Sequence, residues 1–283
     1  MKKDNKLSLV IIYAILIIVG IITAFPIIYT FASSFKTNAE IFAYPERVFP
    51  KTFTFDNYIL AAKSSDFNVL KMFWNSFYYS AFYVVTVVGA SAMQGYAFAR
   101  SEFPGKKIIF AIFSSMMFIS MGSITIYPQF AILSHLGLSK SIWGLIFMNA
   151  FAAPIVNVYL IRGFIRSIPQ SVDEAAKIDG CSFFGVFLRI ILPIIKPVLA
   201  TVTIFAFQGS WNDYLMPTLF TLSRPEQRTL IVGIMALKTS GNAASSWNLM
   251  LAASTVALIP VLIVYCICNR QFVSGLMAGA VKG

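Results

Sequence analysis

Residues 7–32 form an apolar run long enough to cross a bilayer, which takes about 20 residues at 1.5 Å each. In hydrocarbon only a helix or a closed barrel satisfies its own backbone N–H and C=O groups, so a run of this kind dictates a membrane helix. Lys2, Lys3 and Lys6 ahead of it resemble the charged start of a signal peptide. A signal core is only about 7–15 residues, however, and no small-residue cleavage pattern of the Ala-x-Ala kind follows this one. The run reads as a first transmembrane helix with a cytoplasmic N-terminus, and Pro26 is expected to kink it near its end.

The pattern recurs at residues 72–99, 108–133, 141–161, 198–222 and 249–268. The expectation is an all-α integral membrane protein with six transmembrane helices in a single domain over residues 1–283. Composition agrees: 58% of the residues are apolar and 12% charged, with mean hydropathy +0.77. A formal charge of +11 raises the question of nucleic acid, but apolar runs separate the basic residues and no basic-aromatic face is present. Anchoring at anionic lipid and loop orientation account for the excess. Thirteen of the 22 basic residues fall in segments assigned to the inside, namely the N-terminus, residues 100–107, residues 162–197 and the tail from 269 to 283. Both termini are therefore expected on the cytoplasmic side of the membrane.

The outer connection at 33–71 carries Phe42, Tyr44, Phe49, Phe53, Phe55 and Tyr58, too many aromatics for a tether, and is expected to be a small folded cap. Trp74, Phe77, Tyr78 and Tyr79 fit an interfacial aromatic belt. Gly122 and Pro128 interrupt the third run, and Pro154 and Pro260 lie inside the fourth and sixth. His135 has no Cys, Asp or Glu at ligand spacing, so it is read as a loop residue and no metal site is assigned. Met116, Met117 and Met121 are read as packing residues. Cys181, Cys266 and Cys268 form no disulfide framework, since the last two point to different faces of a helix.

Between the fourth and fifth runs lies a polar stretch, 162–197, reading RGFIRSIPQSVDEAAKIDGCSFFGVFLRIILPIIKP. Ser171 with Glu174 three residues later predicts a capping box and a short helix. Gly180 predicts its left-handed end, and Ser182 the cap of a second helix that finishes before Pro193. Glu174, Lys177 and Asp179 make a polar face on this elbow, while Ala175 and Ala176 leave room for another protein to come close.

Glu174, Ala175 and Ala176, then Gly180, then Ile190, Leu192 and Pro193 resemble the EAA signature of the membrane subunits of binding-protein-dependent ABC importers. The chain as a whole resembles the sugar-importer branch of that family, the maltose type, down to its FVSGLMAGAVKG ending. The resemblance implies a type I ABC importer permease fold, with 162–197 as a cytoplasmic coupling loop. Glu174, Ala175, Ala176, Asp179 and Gly180 would then sit in a cleft of an ATPase subunit. It also implies a homologous sister permease, an ATPase dimer and an extracellular substrate-binding protein. The outer connection at 33–71 would lie near the docked binding protein. ATP and Mg would belong to the partner ATPase and no cofactor to this chain, in keeping with the lack of a GxxxxGK[ST] phosphate loop. GxSxG and HExxH are also missing, which argues against a membrane hydrolase or protease.

Within the fifth run, residues 205–217 read FAFQGSWNDYLMP. An ionisable group inside a span is expensive and usually faces a bundle interior or a wet cavity, which singles out Asp213. Gln208, Asn212 and Tyr214 add hydrogen-bonding groups, and Trp211 offers a flat face suited to a sugar ring. Together they are the candidate substrate path for a carbohydrate, by resemblance an oligosaccharide. The same residues also admit another reading, in which Asp213 is solvated at the outer interface or pairs with another subunit and Trp211 packs against lipid. A non-sugar cargo is the alternative within the family. An ion-coupled secondary transporter is the alternative outside it, and one off-centre Asp with an EAA elbow argues against that class.

Overall fold

A computed structural model describes residues 6–64, 67–119, 122–150, 152–239 and 246–280, with side chains from residue 8 to 268 except 122 and 123. Among the described residues every regular element is helical. The α-helices are, in order, α1 (Lys6–Ser33), α2 (Asn38–Ala43), α3 (Asp56–Lys63), α4 (Val69–Arg100) and α5 (Lys106–Ser115). They continue with α6 (Ile126–His135), α7 (Ile142–Asn149), α8 (Ile155–Arg166), α9 (Ser171–Ile178) and α10 (Phe183–Val186). Then come α11 (Leu192–Ile194), α12 (Lys196–Trp211), α13 (Leu215–Thr221), α14 (Leu230–Thr239) and α15 (Trp247–Ala280).

Three of these are long and apolar enough to cross a bilayer unbroken: Ser8–Ser33, Val69–Arg100 and Trp247–Cys268. The other three expected helices are divided. The third run is split into α5, a 3₁₀ turn at Gly122–Thr125 and α6, whose first turn takes Pro128 because no intrahelical N–H is required there. The fourth is cut by Pro154, which stands at the start of α8 instead of inside a span. The fifth stops at Trp211 and resumes at Leu215. Conversely, α1 and α15 run unbroken through Pro26 and Pro260, and α15 continues to Ala280 where a tail of small residues was expected.

The chain divides into two compact units. One comprises the residues up to Leu70 together with Gly233–Ile259. Here the expected cap at 33–71 is folded: the ring of Phe35 meets those of Phe31, Phe53, Phe55 and Tyr58 at centroid distances of 5.3–5.9 Å. Its centre is polar. Asn57 Nδ2 donates to Ser34 O at 2.7 Å and Lys36 O at 2.8 Å, and its Oδ1 accepts from Asn248 Nδ2 at 2.7 Å. Lys36 is fully buried and donates to Arg47 O. Burial pushes its ammonium below the ordinary lysine range, with Glu40 and Glu46 acting in the opposite direction.

The other unit comprises Lys71–Val232 and the chain from Pro260 on. Its axis is α4, along which two apolar clusters are spaced. One gathers Tyr79, Leu133, Ile142, Leu145 and Phe220 around α7 and α13. The other gathers Tyr96, Ile161, Ile165, Ala176, Val186, Phe187 and Ile191 around α8 and the polar hairpin. Tyr79, expected in an interfacial belt, therefore lies in a core, while Trp74, Phe77 and Tyr78 are exposed as expected. Met116 and Met117 are exposed rather than packed, and Met121 lies outside the described residues. His135 is an exposed residue at the end of α6. Among the described residues, no group of His, Cys, Asp and Glu is placed to hold a metal.

The turn into α7 leaves no room at Gly144, where an added Cβ would lie 1.9 Å from Leu138 O. Gly144→Ala is expected to force the 137–141 turn off α7 at a cost of about 3 kcal/mol. Thermal unfolding of the purified protein measures it, and an unchanged midpoint would show that the turn yields freely.

Candidate functional site

The polar hairpin begins at α9. Its entry differs from the expected capping box: Ser171 is the first helical residue, and the residue before it, Gln170, is already helical and makes no side-chain cap. Because the Pro169–Gln170 turn runs directly into the helix, its carbonyls take the first amides. Val172 N–H donates to Pro169 O at 3.3 Å, and the N–H groups of Asp173 and Glu174 donate to Gln170 O at 2.9 and 3.1 Å. Asp173 and Glu174 in this first turn also oppose the positive end of the helix dipole.

The exit follows expectation. Gly180 takes φ +81°, its N–H donates to Lys177 O at 3.0 Å, and Cys181 N–H donates to Ala176 O at 3.0 Å, the paired closure of a Schellman end. Ser182 then caps α10 by accepting from Gly185 N–H at 3.1 Å. The second helix does not stop before Pro193. It continues through a π-helical turn, Phe187–Ile191, in which Leu192 N–H donates to Phe187 O. That turn shifts the hydrogen-bond register just ahead of the residue that has no N–H to offer. The chain bends by 81° only at Ile195, between Ile194 and Lys196.

Three contacts brace the hairpin against the end of α4. Arg100 and Asp173 form a buried ion pair at 2.9 Å, and Arg100 Nη2 also donates to Ile168 O at 2.9 Å. Tyr96 lies with its ring centroid 4.6 Å from that of Phe183 and 5.0 Å from that of Phe187, and its hydroxyl donates to Phe183 O. Ala176 is buried in the cluster around them. Of the residues expected at a partner surface, Glu174, Ala175, Asp179 and Gly180 are exposed, and Lys177 with them. Ala176 is not: three residues beyond Asp173, it shares the inward face of α9. Ile178, one turn beyond Glu174, is 86% exposed. A cleft of about 300 Å³ lined by Arg100, Gln170, Glu174 and Lys177 lies alongside.

Asp173 and Arg100 were missed in the sequence because 73 positions separate them. The available signal was the acidic residue next to Glu174 and a basic turn assigned to the same side of the membrane. At the other end of α4, Asn75 Nδ2 donates to Glu226 O at 2.9 Å and Arg228 O at 3.0 Å, and Ser76 Oγ accepts from Leu230 N–H at 2.8 Å. From Asn75 to Arg100 a helix rises about 37 Å, more than the roughly 30 Å hydrocarbon core. Arg228 and the hairpin thus lie at opposite ends of one long helix.

The strip at 205–217 is divided between two environments. Gln208 and Trp211 are on the last turns of α12, and Asn212, Asp213 and Tyr214 form the break before α13. Gln208, Asn212 and Tyr214 are exposed. Asp213 is half-buried: its Oδ2 accepts from the Tyr79 hydroxyl at 3.0 Å and its Oδ1 from Met216 N–H at 3.4 Å. Trp211 is 2% exposed, stacked on Phe207 at 5.4 Å and edge-on to Phe73 at 5.8 Å. It presents no open face to a sugar in this structure.

Long apolar helices, broken helices between them and one braced polar hairpin define an all-helical, multi-pass membrane protein. The chain belongs to the family described as binding-protein-dependent transport system inner membrane component, which matches residues 59–276. It is 34% identical, over 94% of both chains, to the probable starch degradation products transport system permease protein AmyC of Thermoanaerobacterium thermosulfurigenes. It is 32% identical to the galactooligosaccharides transport system permease protein GanQ of Bacillus subtilis, over 100% of this chain and 99% of that one. Its fold is shared with a chain of a bacterial ABC transporter involved in the import of the acidic polysaccharide alginate. There the TM-score is 0.79 at 24% identity, over 96% of this chain and 99% of that one. The protein is a transport permease subunit in the cell membrane and not an enzyme.

Proposed function

We propose that this chain is one of two homologous permease subunits of an ABC importer for carbohydrates, oligosaccharides in particular. The relatives support the cargo class, since AmyC is named for starch degradation products and GanQ for galactooligosaccharides. In this reading both termini and the hairpin at 162–197 face the cytoplasm, and the spans, broken ones included, make six crossings in a single domain over residues 1–283. An extracellular binding protein delivers the sugar to the side of Arg228. A cytoplasmic ATPase dimer binds ATP and Mg and receives the exposed face of α9 in a cleft.

The observation that carries the coupling role is that α9 is exposed on one face and braced on the other. Glu174, Ala175, Ile178 and Asp179 are open, while Asp173 and Ala176 tie the same helix to α4 and the hairpin core. A short helix held in this way transmits a push along its length into α4 and α12 rather than yielding locally. When ATP closes the ATPase dimer, the hairpin moves with it and the far end of the bundle opens outward. Gln208, Asn212, Asp213 and Tyr214 are assigned to the sugar path. Trp211 supports that path from behind.

Glu174 is the residue that tests this. Its carboxylate closes no capping box, so the charge is available for a basic residue on the ATPase, and losing one partner of such a pair commonly costs a few kcal/mol. Glu174→Gln is expected to lower substrate-stimulated ATP hydrolysis and transport by the reconstituted complex by about tenfold or more, with this chain's own melting unchanged. Full stimulation and full transport by the variant would remove Glu174 from the coupling contact.

A further inference from the structure

At the hairpin end of α4, the 100–107 turn, the end of α8 and residues 167–170 line an open cavity of about 710 Å³. Arg100, Lys106, Lys107, Arg162 and Arg166 line it, against the single carboxylate of Glu102. Two of the five cations are already matched, Arg100 by Asp173 at 2.9 Å and Lys106 by Glu102 at 3.0 Å. Arg162 is positioned without being neutralised: its Nε donates to Phe98 O at 3.2 Å and its guanidinium lies 3.9 Å from the Phe110 ring centroid. Lys107 and Arg166 are exposed and form no ion pair among the described residues. The cavity thus carries three unmatched positive charges, one of them held rigidly.

Its rim points to the source of the matching anion. Immediately after Lys107 come Ile108, Ile109 and Ile112 on α5, exposed by 67%, 49% and 61%. A cluster of cations that gives way within one residue to an exposed aliphatic row matches the step from headgroups to hydrocarbon at a membrane surface. We propose that this cavity binds the phosphate headgroup of an anionic phospholipid, with the acyl chains lying along the isoleucines of α5. Inorganic phosphate shares the anion chemistry but makes no use of the aliphatic row. The inference requires only that the chain is a membrane protein, not that α9 couples to an ATPase.

The test uses the full-length chain, purified from membranes with its copurifying subunits and placed in nanodiscs of phosphatidylcholine with a minor share of phosphatidylglycerol. Phosphatidylglycerol retained after detergent extraction is counted by mass spectrometry. The Lys107→Gln/Arg166→Gln double variant, which leaves Arg162 to pack on Phe110, is expected to retain about tenfold less than the parent. Lys51→Gln/Lys63→Gln removes the same charge from exposed residues of the cap and is expected to retain as much as the parent. Excess inorganic phosphate is expected not to displace the retained lipid. Equal retention by the parent and the first variant overturns the proposal, as does equal loss in both double variants. Displacement by inorganic phosphate overturns the lipid assignment in favour of a free-phosphate site.

Discussion

Asp173→Ala is expected to destabilise the hairpin by about 3–5 kcal/mol, a cost set by the charge it leaves behind more than by the bond it removes. Both side chains of the Arg100–Asp173 pair are below a tenth exposed, so without Asp173 the guanidinium keeps only its bond to Ile168 O. α9 has eight residues, too few for a stable helix alone, and depends on such contacts to hold its direction. Thermal unfolding of Asp173→Ala, of Arg100→Met and of Asp173→Ala/Arg100→Met measures the pair. The double variant is expected to melt well above the sum of the two single losses, because replacing both charges leaves none unpaired. Salt is expected to matter little for the parent, as a buried pair is weakly screened. Additive losses in the double variant would mean that the two residues act independently.

Trp211→Ala is expected to act on folding before it acts on transport. The indole fills the space between Phe73 on α4 and Phe207 on its own helix, and its removal leaves a cavity beside the break at residues 212–214. Large-to-small changes of this kind cost about 3–5 kcal/mol in soluble cores. In a membrane protein the lost packing contacts carry most of that cost, so about 3 kcal/mol is expected. The amount of folded protein recovered from membranes should fall, and transport should fall in proportion to it. Normal yield with lost transport would return Trp211 to the sugar path as a contacting residue. Asp213→Asn, which keeps the shape and can still accept from Tyr79, should leave the yield unchanged.

Local physics made several features of this chain readable in advance. The apolar runs announced membrane helices because hydrocarbon offers the backbone no other partner. Gly180 announced a left-handed helix end and Ser182 a cap, since each outcome depends on one residue's own stereochemistry and the bonds of its near neighbours. The aromatics of residues 33–71 announced a folded cap, because rings this close in sequence can gather on one of their number, as they do on Phe35, although Phe42, Tyr44, Phe49, Phe53 and Phe55 stay exposed.

Tertiary structure alone decided the rest. Ser171 misses its cap role because the chain reaches it already helical, through a turn whose Ile168 carbonyl accepts from Arg100 on α4. Pro193 stays inside a helix because the π turn ahead of it shifts the hydrogen-bond register where its donor is missing, and Phe187 and Ile191 of that turn pack in the buried cluster. Trp211 and Ala176 face inward, and Glu174 and Ile178 outward, according to where α4 passes. Asp173 with Arg100, and Asp213 with Tyr79, become partners only when segments far apart in the chain pack side by side. Residue type and spacing thus determined the apolar runs, the left-handed turn at Gly180 and the cap at Ser182, whereas the breaks within the runs and the buried face of each element followed from long-range packing, which no local pattern encodes.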